Sequence, residues 1–186
     1  MKKTFTFIPV LAFLAGLTLT GCSKESDDPT NLFTVGKTKA ELKTFAFYIT
    51  SHNSNGFEYY FDLASEGISY NPSGYFLGSG SYLEFNVVSS SSDGIASGDY
   101  VFDDSGTFPA FSYYSGSHCL DWAESSAYTL VSITSGTLSV TRNGSYYEIS
   151  FKGVDSDGEK VTAYYKGSSI FYNWMALMGS SSPARQ

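Results

Sequence analysis

The residues able to do chemistry are few, and most sit where chemistry is hard to build. The chain has two histidines, His52 and His118, and beyond residue 22 a single thiol, Cys119. A zinc site takes three or four ligands from His, Cys and carboxylates. His118 and Cys119 are neighbours, and on an extended chain adjacent side chains point to opposite faces. A nucleophilic Cys–His pair would therefore need His52 as its base, and nothing in the sequence marks His52 for that role. Asp155, Asp157 and Glu159 alternate as calcium ligands do, but the twelve-residue loop with its closing glutamate is missing, and a hairpin turn explains the run. Asp103-Asp104 beside Ser105-Gly106 is a weaker case. Glu58, Asp62, Glu84 and Glu148 fall on strand positions expected to face outward. Two of them could meet only in the fold, as glycoside hydrolysis would require, and outward carboxylates ordinarily solubilise. The expectation is no catalytic residue, no metal and no cofactor.

Aromatic residues speak more of partners. Residues 103–122 carry Phe108, Phe111, Tyr113, Tyr114, His118 and Trp122 among Gly and Ser, without clean alternation. Flat rings offer contact area at low entropic cost and are often where sugars or proteins are held. The competing use is to cap the open end of a sheet. If a ligand site exists, Tyr114 and Trp122 are expected in it, with Phe111 and Tyr113 beside them. Its binding should depend weakly on salt, because stacking is short-ranged and largely uncharged.

These side chains must be positioned by strands. Of 186 residues only 16 % are charged while 17 % are aromatic, with 18 glycines. That balance disfavours coiled coils, helical bundles and disordered tails. A formal charge of −7 offers no basic face to nucleic acid. Period-two alternation places Phe57, Tyr59, Phe61 and Leu63 inward, then Leu83, Phe85 and Val87, then Tyr147, Ile149 and Phe151, then Val161, Ala163 and Tyr165. Noisier strands are expected over 45–50, 98–102 and 128–133. Asn55-Gly56, Asn143-Gly144 and Asp157-Gly158 separate such runs and suit type I′ turns. Between Ile133 and Leu138 the apolar positions switch parity around Gly136, which predicts a bulge. One helical turn could fit 38–45, and 103–126 reads as the least regular stretch. The fold class is all-β: an antiparallel meander of about eight strands forming a sandwich or open barrel.

The N-terminal residues carry an address. Lys2 and Lys3 precede an apolar stretch from Phe5 to Leu19, the length of a signal-peptide core rather than a membrane span. It ends in Leu19-Thr20-Gly21-Cys22, which resembles a bacterial lipobox. The resemblance implies acylation of Cys22, cleavage after Gly21, and a membrane as partner. Two or three acyl chains at Cys22 would anchor firmly where one does not. Ser23-Lys24-Glu25-Ser26-Asp27-Asp28 resembles the acidic tether of Bacteroidetes surface lipoproteins. Ser135–Val140, Asn143–Ile149, Asp157–Val161, Tyr165–Gly167 and Gly98–Phe102 are similar to strand and turn motifs of small lipoproteins of that group, from which no catalytic residue carries over. The expected organisation is a lipoprotein signal peptide over 1–21, a tether over 22–30, one β domain over 31–174 and a tail over 175–186. Cleavage would remove Lys2 and Lys3, leaving nine basic against 18 acidic residues, or −9. The function expected is that of a non-catalytic binding or interaction module of the outer membrane, displayed on the cell surface, with a glycan or an envelope protein as partner. The alternatives are a structural or adhesive surface component, a small glycan-acting hydrolase as a distant third, and a periplasm-facing anchor.

Overall fold

A computed structural model describes residues 30–71 and 75–172; the leader, Cys22, the tether before Thr30 and the tail lie outside them. The described residues are all-β, in ten strands. These are β1 (Leu32–Val35), β2 (Thr38–Asn53), β3 (Gly56–Ser65), β4 (Ile68–Tyr70), β5 (Phe76–Ser89), β6 (Gly98–Phe102), β7 (Ser112–Ala123), β8 (Val131–Asn143), β9 (Tyr146–Asp155) and β10 (Lys160–Phe171). The order is β3-β2-β1-β10-β9-β8-β6-β7-β5-β4, and β3 also pairs with β5. The ladder therefore returns on itself and forms a barrel.

Two places depart from an antiparallel meander. Short β1 fills the gap between the first half of β2 and β10; past it, Ser169–Phe171 meet Phe45–Phe47 directly and in parallel. Short β6 fills the gap between β7 and β8, parallel to β7 at Val101 and Phe102. The segment 38–45, a candidate helical turn in the sequence, is strand because its residues pair with β1 and β3. Half of the stretch read as irregular is β7, bonded to β5 over most of its length. Its alternation was obscured by a register shift opposite Asn86–Val87 and another opposite Gly80–Tyr82.

All four alternating sets point into the barrel, Phe57 at its margin and the others buried. Rings fill the interior: Phe61 lies 5.3 Å from Phe85, and Phe85 lies 4.9 Å from Phe151. The bulge expected near Gly136 is present as a register shift between Ile133 and Ser135. The Asn143-Gly144 turn is left-handed only at its first central position, Gly144 (φ 62°), so it follows the type II′ pattern instead of I′.

The parity switch also brings Gly136 opposite Gly153 across β8 and β9. A Cβ on Gly153 would lie 2.2 Å from the Ser135 carbonyl oxygen and 2.3 Å from Phe151 Cζ. Backbone and a packed ring cannot both retreat. Gly153→Ala should destabilise the domain by about 1–3 kcal/mol, the cost of overpacking. Urea unfolding measures this; a midpoint equal to wild type would show the two strands able to separate.

Candidate functional site

A second layer covers part of the barrel's outside. β5 bends at Gly78 (φ 91°), where a Cβ would collide with the Gly67 carbonyl oxygen at 2.2 Å, and carries β4 over the outer face. Beneath it Ala64, Ile68, Tyr82, Cys119 and Trp122 form a separate small core, with Phe76 against it. Trp122 is 7 % exposed, its ring 5.5 Å from Phe76 and 6.4 Å from Tyr82. Cys119 is buried there, and burial pushes its thiol up.

The four aromatic candidates do not form one site. Tyr113 faces the barrel interior and is fully buried, its hydroxyl unpaired. Phe111 sits at the rim with φ 67°, unusual for so bulky a residue, its ring 5.5 Å from Tyr100 and laid over Gly98. Trp122 belongs to the outer core. Tyr114 alone lies on an open outer face: its ring packs 4.5 Å from Phe108, and its hydroxyl donates to Glu58 Oε2 at 3.4 Å.

That face carries the carboxylates. Across β3, β5 and β7 the outward positions pair in register as Asp62 with Glu84 and Glu84 with Ser117; one row along, Tyr48 pairs with Tyr60 and Tyr60 with Asn86. The Tyr60 hydroxyl donates to Glu84 Oε2 and the Ser117 hydroxyl to Glu84 Oε1. Tyr48 and Tyr60 rings stand 5.1 Å apart. Burial, reinforced by the Asp62 and Glu84 charges, raises the Tyr48 hydroxyl to about 12.

Asp62 is the unusual member. It is 3 % exposed, and its Oδ1 has no hydrogen-bond partner. Burial and the opposing Glu84 charge raise its carboxyl well above the ordinary range, and the bond to the Tyr60 hydroxyl only partly offsets this. Tyr60 gives its one hydroxyl proton to Glu84, which limits what it offers Asp62. The carboxyl lines a recess of about 170 Å³ whose other walls are Tyr48, Tyr60, Tyr75 and Phe76. A buried polar atom left unpaired is costly and calls for an explanation. Sequence reasoning placed Asp62 outward but could not see the flap that buries it.

The remaining polar pair lies inside. His118 and Asp155, 2 % and 3 % exposed, meet at 2.9 Å between Nε2 and Oδ2. Asp155 Oδ1 accepts the backbone N–H groups of Asp157 and Glu159 at 3.0 and 2.8 Å. The D-x-D-G run is thus built around its own turn, with His118 as the side-chain partner of Asp155. On its other side His118 lines a shallow depression of about 310 Å³ with Leu120, Asp121 and Tyr128. Among the described residues no group of three or more His, Cys, Asp or Glu is placed to hold a metal ion. The chain matches no family model, no curated protein and no solved structure.

Proposed function

We propose that this protein is a non-catalytic binding module of the bacterial cell envelope, anchored through acylated Cys22 and presenting the outer face of β2, β3, β5 and β7 to an extracellular ligand, a glycan being the first class to screen. The anchor rests on the resemblance of Leu19–Cys22 to a lipobox and of the residues after it to an acidic surface tether. The observation that carries the binding face is Asp62: a carboxyl buried to 3 % exposure, one oxygen unpaired, set in a recess of aromatic rings. Beside it the Phe108–Tyr114 ring pair and Glu58 extend the same polar and aromatic surface.

Two measurements test the proposal separately. Metabolic labelling with a palmitate analogue should mark the wild type and not Cys22→Ala; a label that survives the substitution removes the anchor. A glycan array with the detergent-solubilised protein should yield ligands whose affinity falls about tenfold, near 1.4 kcal/mol, in Tyr114→Ala. Binding unchanged in a folded Tyr114→Ala would move the site off the Phe108–Tyr114 end of this face.

A further inference from the structure

We propose that the recess over Asp62 binds an ammonium group, a positively charged nitrogen carrying methyl or methylene substituents, with the Asp62 carboxylate as counter-ion and the rings of Tyr48, Tyr60, Tyr75 and Phe76 as walls. The proposal rests on the reading that this outer face binds a ligand, and it names the chemistry of that ligand.

Geometry selects a cation. Asp62 and Glu84 stand directly opposite one another on neighbouring strands, an arrangement in which like charges repel. Glu84 is held in place by Tyr60 and Ser117, each donating to one of its oxygens. Asp62 keeps an oxygen with no donor. Among the described residues no Lys, Arg or His lines the recess. The walls are aromatic, and ring faces attract cations, more strongly where water is excluded. An uncharged hydroxyl could satisfy the free oxygen, but it would give the aromatic walls no charge to attract. An alkylated ammonium that keeps an N–H answers the oxygen and the rings together; a quaternary one answers the rings and the charge of an ionised Asp62. A net charge of −7 steers such a ligand toward the protein.

Protonation enters with a definite sign. The groups near Asp62 are Tyr60 on its own strand, Tyr75 just before β5, Glu84 and Tyr82 on β5, Tyr48 on β2, Tyr70 on β4 and, through Tyr70, Tyr172 beyond β10. None is cationic, so the empty recess favours the neutral carboxyl. The cation then displaces a proton: Asp62–COOH and the ammonium ion give the carboxylate–ammonium pair, and one proton leaves to solvent. Below the pKa of Asp62 the affinity should therefore fall about tenfold for each unit drop in pH.

The experiment titrates tetramethylammonium chloride into the purified full-length protein in a maltoside detergent, with sodium chloride at equal ionic strength as control. Isothermal titration and the methyl proton resonance are followed between about pH 5 and 8. Binding should shift the methyl signal upfield through the ring currents of the walls and, below the pKa of Asp62, release protons, seen as an enthalpy that varies with the buffer's ionisation heat. Asp62→Asn, similar in size but uncharged, should bind at least tenfold more weakly while its thermal unfolding remains cooperative. No binding beyond the sodium control overturns the proposal, as does equal binding in Asp62→Asn. Should that variant fail to fold, a wild-type methyl resonance that does not shift on titration overturns it as well. A glycan that still binds a protein deaf to tetramethylammonium defeats the ammonium assignment alone; loss of both defeats the binding face itself.

Discussion

Phe45→Ala is expected to lower the stability of the barrel by about 3–5 kcal/mol, the range for truncating a large buried aromatic. Phe45 is fully buried, and its ring touches four others: Phe47 at 5.4 Å, Phe61 at 5.5 Å, Tyr147 at 5.0 Å and Tyr165 at 5.9 Å. Those partners come from β2, β3, β9 and β10, so one truncation loosens the packing of all four strands. Two contacts, to Phe61 and Tyr147, are edge-to-face, a geometry worth about 0.5–1.5 kcal/mol beyond the area buried. The ring also lies where Ser169 pairs with Phe45 in parallel. Urea unfolding compares it with Lys39→Ala, an exposed change expected within about 0.5 kcal/mol of wild type. Equal midpoints for the two variants would mean that the aromatic interior is not what holds the barrel.

Asp155→Ala should cost a similar amount, about 3–5 kcal/mol, because it leaves His118 buried beside nothing and strips the turn of its acceptor. Two backbone N–H groups, of Asp157 and Glu159, lose their bonds with it. The same contacts set a pH dependence. Burial alone would push the Asp155 carboxyl up, but the bonds from His118, Glu159 and Asp157 outweigh it and hold the group below the ordinary range. The unfolded chain then takes up this proton first as acid is added. The stabilisation is present above about pH 4 and is lost as pH falls through the lowered value of Asp155. Asp62 works in the opposite direction. Its raised value means the folded chain holds that proton longer, so ionisation removes stability as pH rises from the ordinary carboxylate value to its own. Urea midpoints across pH should therefore show Asp155→Asn losing the acid-side slope that the wild type has. Parallel acid curves for the two proteins would show that the pair carries no pH-dependent stability.

Period two made the barrel interior legible: Phe61, Leu83, Ile149 and Val161 all face inward as their alternation required. Alternation separates the two faces of a strand but does not say what covers either face. Asp62, Tyr82, Cys119 and Trp122 all occupy outward positions, yet all four are buried, because β5 bends at Gly78 and brings β4 over them. A glycine in a strand hints at a bend; it does not say where the bent segment goes. The face joining Glu58, Asp62 and Glu84 was likewise invisible, since it exists only through the register of β3 against β5. His118 and Asp155 meet across 37 positions of chain. In the sequence one belonged to an aromatic stretch and the other to a turn, and only the pairing of β7 with β8 and β8 with β9 brings them together.

The parallel contact of Ser169–Phe171 with Phe45–Phe47 has a bearing on the order in which this protein can fold. The first strands meet the last, so the wall cannot be completed by a chain that lacks its final strand, however long the rest has had to search. Contacts between distant parts of a chain are the slow ones to form. A polypeptide emerging N-terminus first would leave the β2 edge at Phe45–Phe47 without its strand partner until residue 171 arrives. The ring of strands therefore closes only once residues 169–171 are available to pair with β2.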